Sequence, residues 1–541
     1  MIDAELNQQD LLIAFENLYG DHTGAAQAAI IRDVLNDYKM SRQLHCFVGD
    51  NASSNDGKLS DGLNLHPNTY ITADDRMRCA GHIINLIVKA TMYGDGVSRW
   101  EEELAAAAPW DQFKKFRQLG VVGKLHNFVN AVCSSHKRRE LFHSMQKQAN
   151  NEDGIYTTHT LQLRQAGGVR WHSTYLMLLR CHELKKTIQL YVKALRQNTN
   201  IKKEDGSHYD PQTDALIEEE WDEVEELVDF LQPAYEMTKR LEGDNCVSGF
   251  GSLWQTLPNL QALWTHYNDA NNRTNKSKFF ATAVAFGKAK LDHYFDTLLL
   301  KPDVSLYAVA TALNPKLRVA WFKTQWKRFP HWYKKAEASL RKVYKRYADE
   351  DEAEEDLAEL LPPPTRRKVP SGGAGLYERS MEVDLNLLTK AKSKRQKRTN
   401  QLDDYLDSLA FEHATTSKPE QRLLEHEPRS WWLQHGCTRY PIVFRMACDY
   451  LSIPSTSCEC ERAFSKARRT ITADRNRLSG ATIVSIQLIR NWLQRGVVKS
   501  SLRDLKELVR NSDQFEPVPV NPSQADDGGD PGSQSNDLYC Q

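Results

Sequence analysis

The chain has 541 residues, which is enough for two or three domains with sizeable cores. Lys plus Arg equals Asp plus Glu at 71 each, so the net charge gives no indication of polyanion binding, and any nucleic-acid contact must come from local patches. The ten cysteines include no Cys-x-x-Cys pair, and no apolar run is long enough to cross a bilayer. These features argue against a disulfide framework, a zinc ribbon and a membrane protein, and we expect a soluble intracellular chain.

The N-terminal part reads as a small α/β core. Residues 10–18 predict a strand, residues 25–40 a helix and residues 44–48 a buried strand. Residues 76–92 predict a mostly buried helix. From about 110 to 345 the apolar residues recur at helical spacing, so a long helical region follows the core.

Two charged blocks mark a linker. Residues 349–359 hold eight acids in eleven positions, and residues 390–398 hold six basic residues in nine. Such blocks bury too little apolar surface to fold, so both are predicted to be disordered. Helical structure is predicted to resume by about residue 403 and to end near 510.

The C-terminal stretch 431–492 carries the most specific pattern. Paired tryptophans lead into an apolar helix that ends at Ile453-Pro454, and ERAFS at 461–465 opens the next helix. Residues 439–478 resemble the C-terminal dimerisation region of hAT-superfamily DNA transposases. The resemblance implies a large apolar pairing surface, part of which is the chain's own core. The residues assigned to pairing are Trp431, Trp432, Tyr440, Phe444, Leu451 and Phe464.

Two carboxylates are candidates for metal-assisted phosphodiester chemistry. Asp50 follows an apolar strand, where a carboxylate is held rigidly and exposed, although an N-cap for the next helix remains an alternative. Residues 49–56 (GDNASSND) resemble the hAT segment that supplies the second catalytic aspartate. Glu461 matches the position of the family's third carboxylate. For Glu461 the alternative is a salt-bridged helix face.

The resemblance also implies the fold class: α/β plus all-α, with a truncated ribonuclease H-like core interrupted by a large helical insertion and a C-terminal helical dimerisation region. The predicted domains are a partial ribonuclease H-like core over 1–109, the helical insertion over 110–348, the charged linker over 349–402, the dimerisation region with the last core helix over 403–510 and a disordered tail over 511–541.

The family's first catalytic aspartate has no match here, since this sequence starts downstream of the strand that carries it. Two carboxylates would hold Mg²⁺ weakly or not at all, so we expect dimerisation and DNA association without transposition. One alternative is an active Mg²⁺-dependent transposase whose N-terminal part is missing from this sequence. Another is a domesticated regulator that pairs with full-length relatives.

Residues 170–174 (RWHST) resemble the family's Arg-Trp-Asn segment, with His172 in place of Asn. Arg170 would hold phosphate, and Trp171 would either stack on an unpaired base or lie in the core. Cys79 and His82 match the family's Cys-x-x-His. We interpret them as structural or DNA-proximal residues, because no second pair is evident that would complete a zinc site.

The expected partners are a second copy of the chain and DNA, including transposon ends, without a membrane, in the nucleus. The basic block 390–398 would serve as a nuclear localisation signal or a DNA contact, or remain a solvated linker.

Overall fold

A computed structural model describes most of the chain. The described residues are 11–16, 18, 23–50, 57–66, 71–94, 102–103, 106, 109–154, 159–167, 171–197, 210–243, 251–274, 277–360, 400–407, 428–471 and 478–498. Within them the chain divides into two compact units. The interrupted unit combines Met1–Arg76 with Cys458–Gln541, and the helical unit is Met77–Ser457.

Helices dominate the described residues. In chain order they are α1 (Gly24–Asp37), α2 (Gly57–Leu63), α3 (Ala80–Tyr93), α4 (Pro109–Arg117), α5 (Gly120–Ser134), α6 (His136–Glu152), α7 (Trp171–Glu183), α8 (Lys185–Gln197), α9 (Glu218–Leu241), α10 (Thr256–Asn272), α11 (Lys278–Phe295), α12 (Leu306–Ala312), α13 (Arg318–Gln325), α14 (Pro330–Leu360), α15 (Gln401–Asp407), α16 (Pro428–Trp431), α17 (Cys437–Arg439), α18 (Pro441–Leu451), α19 (Cys458–Thr470) and α20 (Gly480–Gln494).

Two strands, β1 (Phe47–Gly49) and β2 (Arg76–Arg78), pair in a two-stranded sheet. A helical chain with a small sheet agrees with the predicted mixture of classes, whereas the ribonuclease H-like arrangement stays a prediction. None of the helices described in the structure combines the length and apolar character needed to span a membrane.

The interrupted unit has a small core between its first two helices. Ala28, Leu59 and Leu63 form this core, and partly buried apolar side chains such as Phe47 pack against it. The helices approach closely, because a Cβ at Gly62 would lie 2.5 Å from the Cβ of Ala28. Glycine at this position is therefore what allows α1 and α2 to pack.

The strand predicted over residues 10–18 is wrong for the part that the structure describes. Residues 11–16 form no strand. The backbone N–H of Leu12 donates to Asn491 Oδ1 at 2.9 Å, and Trp492 Nε1 donates to the carbonyl oxygen of Leu12 at 2.9 Å. Side chains of α20 satisfy the backbone groups that a neighbouring strand would have paired.

The helical unit has a core rich in aromatic side chains. Trp221, Tyr267, Phe280, Phe295 and Trp326 are almost fully buried. Two of them form hydrogen bonds through their polar atoms: Tyr267 shares a 2.7 Å hydrogen bond with Thr91, and Trp326 Nε1 donates to Gln261 Oε1 at 2.7 Å. These bonds offset the cost of burying polar atoms among apolar side chains.

Several predicted boundaries need correction. The acidic block 349–359, expected to be disordered, continues α14 as helix. The prediction that helical structure resumes by about residue 403 is confirmed, because α15 begins at Gln401. The helix predicted from residue 76 begins at Ala80, because β2 precedes it. Strand β1 is half-buried rather than buried. The basic block 390–398 and the tail from 499 onward lie outside the described residues.

Candidate functional site

The two ends of the helical unit lie side by side. The backbone N–H of Ala80 donates to the carbonyl oxygen of Ser455 at 2.9 Å. The N–H of Ser457 donates to Cys79 Sγ at 3.4 Å. The chain therefore leaves the helical unit beside the point where it entered, which is the arrangement of a domain inserted into another.

The segment that closes the helical unit is held from a second side. Leu253 donates its N–H to the carbonyl oxygen of Ile453 at 2.8 Å, and Ser455 donates its N–H to the carbonyl oxygen of Gly251 at 2.9 Å. The Ser455 hydroxyl also donates to the carbonyl oxygen of Leu241 at 3.1 Å. These bonds satisfy the buried polar groups of a segment without helix or strand partners of its own.

Both candidate carboxylates belong to the interrupted unit. Asp50 comes directly after β1 and is partly exposed, and its carbonyl oxygen accepts a 2.9 Å hydrogen bond from Arg76. Glu461 lies in the first turn of α19 and is half-buried. The residues directly after Asp50, 51–56, lie outside the described part of the chain, so the N-cap alternative for Asp50 stays open.

Asp50 and Glu461 offer hard carboxylate oxygens, the ligand type that Mg²⁺ prefers. Among the described residues, no three His, Cys, Asp or Glu side chains form a group that could hold a metal ion. The donor type therefore fits Mg²⁺, while the number of carboxylates falls short of a dedicated cage.

Cys79 and His82 have positions that fit the structural interpretation. Cys79 is buried and accepts the hydrogen bond from Ser457 described above. His82 is half-buried in the first turn of α3. The cysteine thus ties the start of α3 to the end of the helical unit.

Trp171 lies in the core of the helical unit, and only 2% of its surface is exposed. Its backbone N–H donates to Asn85 Oδ1 at 3.1 Å, which satisfies a donor at the start of α7. Its ring lies 5.9 Å from that of Tyr175 and 6.4 Å from that of Tyr235. Of the two alternatives for Trp171, stacking on an unpaired base or packing in the core, the structure shows packing in the core. Arg170 lies outside the described residues.

Three of the six residues assigned to pairing are core residues of the helical unit. Trp432 is 1% exposed, and its Nε1 donates to the carbonyl oxygen of Leu313 at 2.8 Å. Tyr440 and Leu451 are buried as well. Their apolar surface is used within the chain and is not offered to a second copy.

The other three differ in exposure. Trp431 and Phe444 are partly exposed, whereas Phe464 on α19 is 62% exposed and touches the ring of Phe15 at a centroid distance of 5.2 Å. Phe464 is therefore the assigned residue best placed to contact another molecule.

Helix α20 packs against α19, and its apolar residues are only partly covered. Gln487 is buried, Ile483, Val484, Ile486 and Leu488 are half-buried, and Ile489 is 48% exposed. The apolar stripe of an amphipathic helix is usually buried, so the exposed part of this stripe is available to a partner.

Comparison with known families gives two matches. Residues 401–493 match the hAT family C-terminal dimerisation region. Residues 77–230 match the ZBED1 RNase-like helical domain. The first match includes α19 and α20, and the second begins at the start of the helical unit.

Individual relatives have low sequence identity to this chain but align over much of its length. A Talaromyces stipitatus protein named "Putative transcriptional regulator tpeD" is 25% identical over 90% of this chain and 50% of its own length. The Zea mays "Putative AC transposase" is 23% identical over 91% of this chain and 54% of its own length. "Zinc finger BED domain-containing protein DAYSLEEPER" of Arabidopsis thaliana is 23% identical over 61% of this chain and 41% of its own length. The chain spans about half the length of these relatives.

An inserted helical unit, an exposed C-terminal helix pair and these matches together define a transposase-related protein. More particularly, the matches relate the chain to hAT-family transposases, and its residues 401–493 match that family's C-terminal dimerisation region.

Proposed function

We propose that this protein self-associates through the exposed faces of α19 and α20 and associates with DNA in the nucleus. The observation that carries the proposal is the apolar stripe of α20, which lies in the matched dimerisation region and is only half-covered within the chain, with Ile489 48% exposed. A second copy that covers this stripe removes apolar surface from water, at about 25 cal/mol per Å². DNA association and nuclear location are supported by kinship to transposases.

Phe464→Asp tests the pairing surface. A buried, unpaired carboxylate in an interface is costly, so we expect the dimer dissociation constant to rise at least about tenfold. The matched control is Leu65→Asp, since Leu65 is 74% exposed in the same unit but lies away from α19 and α20 in sequence. Sedimentation velocity over a concentration series measures both variants. Equal self-association of Phe464→Asp and wild type would refute this surface.

Trp432→Asp does not test pairing, although Trp432 was assigned to it. The indole lies in the core and donates to Leu313, so the charge would oppose folding of the helical unit itself. Loss of association in that variant would report unfolding.

We further propose that this chain does not cleave DNA by itself. Asp50 and Glu461 would hold Mg²⁺, which when bound in such sites activates an attacking water and stabilises the leaving oxygen. Two carboxylates leave most of the octahedral positions to water, so binding would be weak. This proposal is supported by the family resemblance, which implies three catalytic carboxylates. Asp50 and Glu461 match two of them.

A nicking assay tests this part. Purified chain with Mg²⁺ and a duplex that carries terminal inverted repeats should give no strand cleavage above that of an Asp50→Asn control. Nicking by the wild type that disappears in Asp50→Asn would contradict the proposal. It would favour the alternative of a transposase whose remaining part lies outside this sequence.

A regulatory role is the second candidate. The similarity over 90% of this chain to a protein named as a transcriptional regulator favours it. A regulator of this kind would act by pairing with full-length relatives. Co-purification of such a relative with the wild type, and its loss with Phe464→Asp, would support the role.

A further inference from the structure

One region of this electrically neutral chain is strongly basic. Residues 316–346 contain eleven Lys or Arg and a single acid, Glu337. The region covers α13 and the first half of α14, two helices that contact each other in the helical unit. The positive charge is therefore concentrated on one pair of neighbouring helices.

Some of these cations are neutralised within the unit. Arg341 bonds to both Glu337 and Asp403, and Lys342 pairs with Asp303. Five others are exposed and form no ion pair or hydrogen bond through their side chains with the described residues. We name them the cationic surface: Lys323, Lys327, Arg328, Lys334 and Lys345.

The cationic surface stands on a rigid base. Phe322, Trp326 and Trp332 are buried beneath it, and the rings of Trp326 and Trp332 meet edge to face at 5.4 Å. Lys334 and Lys345 are eleven residues apart, which is three helical turns, so they share one face of α14 about 16 Å apart along its axis. Because the helices that carry these charges are already packed in place, binding has to order only the side chains.

Helix stability accounts for only part of this charge. Lys323 lies in the last turn of α13, where a cation stabilises the helix, whereas Lys334 lies near the start of α14, where it does not. A face that serves only solubility usually mixes both signs, and the cationic surface does not. Unpaired cations of one sign repel one another, so their accumulation is a cost that a polyanionic ligand would remove.

We propose that the cationic surface of α13 and α14 binds the phosphate backbone of duplex DNA. The inference rests on the proposed association with DNA and gives it a location. Duplex DNA carries about one negative charge per 1.7 Å of axis, so phosphates are available to each of several cations spread over the surface of two neighbouring helices. Lysines bind phosphate as point charges, so this contact reads no base sequence.

The test compares two variants of the full chain with equal charge changes. The first carries Lys323→Gln, Lys327→Gln, Lys334→Gln and Lys345→Gln. The matched control carries Arg139→Gln, Lys147→Gln, Lys193→Gln and Arg196→Gln, four exposed cations of α6 and α8. Fluorescence anisotropy measures binding of a duplex of arbitrary sequence between about 50 and 200 mM salt.

We expect the first variant to bind at least about tenfold more weakly at low salt, with a salt slope lower by roughly 3 to 4, because each phosphate contact contributes about 0.9 to that slope. The control should bind like the wild type.

Equal losses in both variants would show a net-charge effect and overturn the inference. If the first variant binds duplex DNA as tightly as the wild type, the DNA binds elsewhere on the chain. This result would overturn the inference and leave the proposed DNA association unaffected. If the wild type binds no duplex, the proposed DNA association fails together with the inference. Tighter binding of polyglutamate than of duplex would assign the surface to an acidic protein and overturn the inference.

Discussion

Individual aromatic side chains show how one residue type serves different purposes in this molecule. Trp171 and Trp432 are almost wholly buried, and Trp432 also satisfies its indole N–H with a backbone carbonyl. Phe464, by contrast, exposes most of its ring on α19. The first two stabilise the helical unit, and the third is available to a partner.

His126 gives the helical unit a dependence on pH. The imidazole lies against the ring of Phe116, at a centroid distance of 3.7 Å, and burial lowers the pKa of His126 to about 4 from its usual 6.5. Between pH 6.5 and about 4, His126 is protonated in the unfolded chain but stays neutral in the folded chain. The stabilisation is therefore complete above pH 6.5 and is lost as the pH falls towards 4.

We expect this residue to account for a loss of roughly 3 kcal/mol in the free energy of unfolding between pH 7 and pH 4. His126→Gln should remove that part of the pH dependence, whatever its effect at pH 7. Urea unfolding at both pH values measures it, with exposed His331→Gln as the control. The same pH dependence in His126→Gln and wild type would show that His126 does not contribute.

At the scale of elements, the junction of β2, α3 and the segment before α19 depends on one glycine. A Cβ at Gly251 would collide with the carbonyl oxygen of Leu241 and lie 2.8 Å from the Ser455 hydroxyl. Both groups belong to the hydrogen bonds that close the helical unit. The backbone cannot yield there without breaking them.

Gly251→Ala should therefore lower the free energy of unfolding by about 1–3 kcal/mol, the usual cost of overpacking. Gly480→Ala is the control, because a Cβ there meets nothing within 4 Å and alanine favours the helix that begins at this residue. Chemical denaturation compares the two. A Gly251→Ala protein as stable as Gly480→Ala would mean that the junction tolerates the added methyl group.

Periodicity in the sequence predicted the elements that are stabilised locally. The helix at 25–40 appears as α1, and the helical region predicted from about 110 to 345 appears as α4 to α14, because their apolar spacing reflects buried helix faces. The strand predicted at 10–18 failed because Leu12 bonds to Asn491 and Trp492, far away in sequence. The acidic block remains helical because Glu and Ala favour helix strongly.

The candidate site was predictable only in part. Motif resemblance identified Asp50 and Glu461, which the fold places in one unit despite their distance in sequence. Apolar spacing alone could not separate Trp432, buried within its own chain, from Phe464, exposed on the surface. The cationic surface was missed, although eleven basic residues against one acid in residues 316–346 was a readable signal.

For the molecule as a whole, the family's dimerisation region is shared between the two units. Its first part, residues 401–457, belongs to the helical unit, and residues 458–493 belong to the interrupted unit. The buried aromatic side chains lie in the first part, and the exposed apolar side chains Phe464 and Ile489 lie in the second. We therefore assign pairing to α19 and α20 and assign the paired tryptophans to folding.

Sedimentation equilibrium of the intact wild-type chain at micromolar concentration tests this assignment most directly. The account predicts a mass of twice the 62.0 kDa chain, or a larger multiple, with the mass falling towards the single-chain value in Phe464→Asp. A wild-type mass that stays at 62.0 kDa across the concentration range would contradict it.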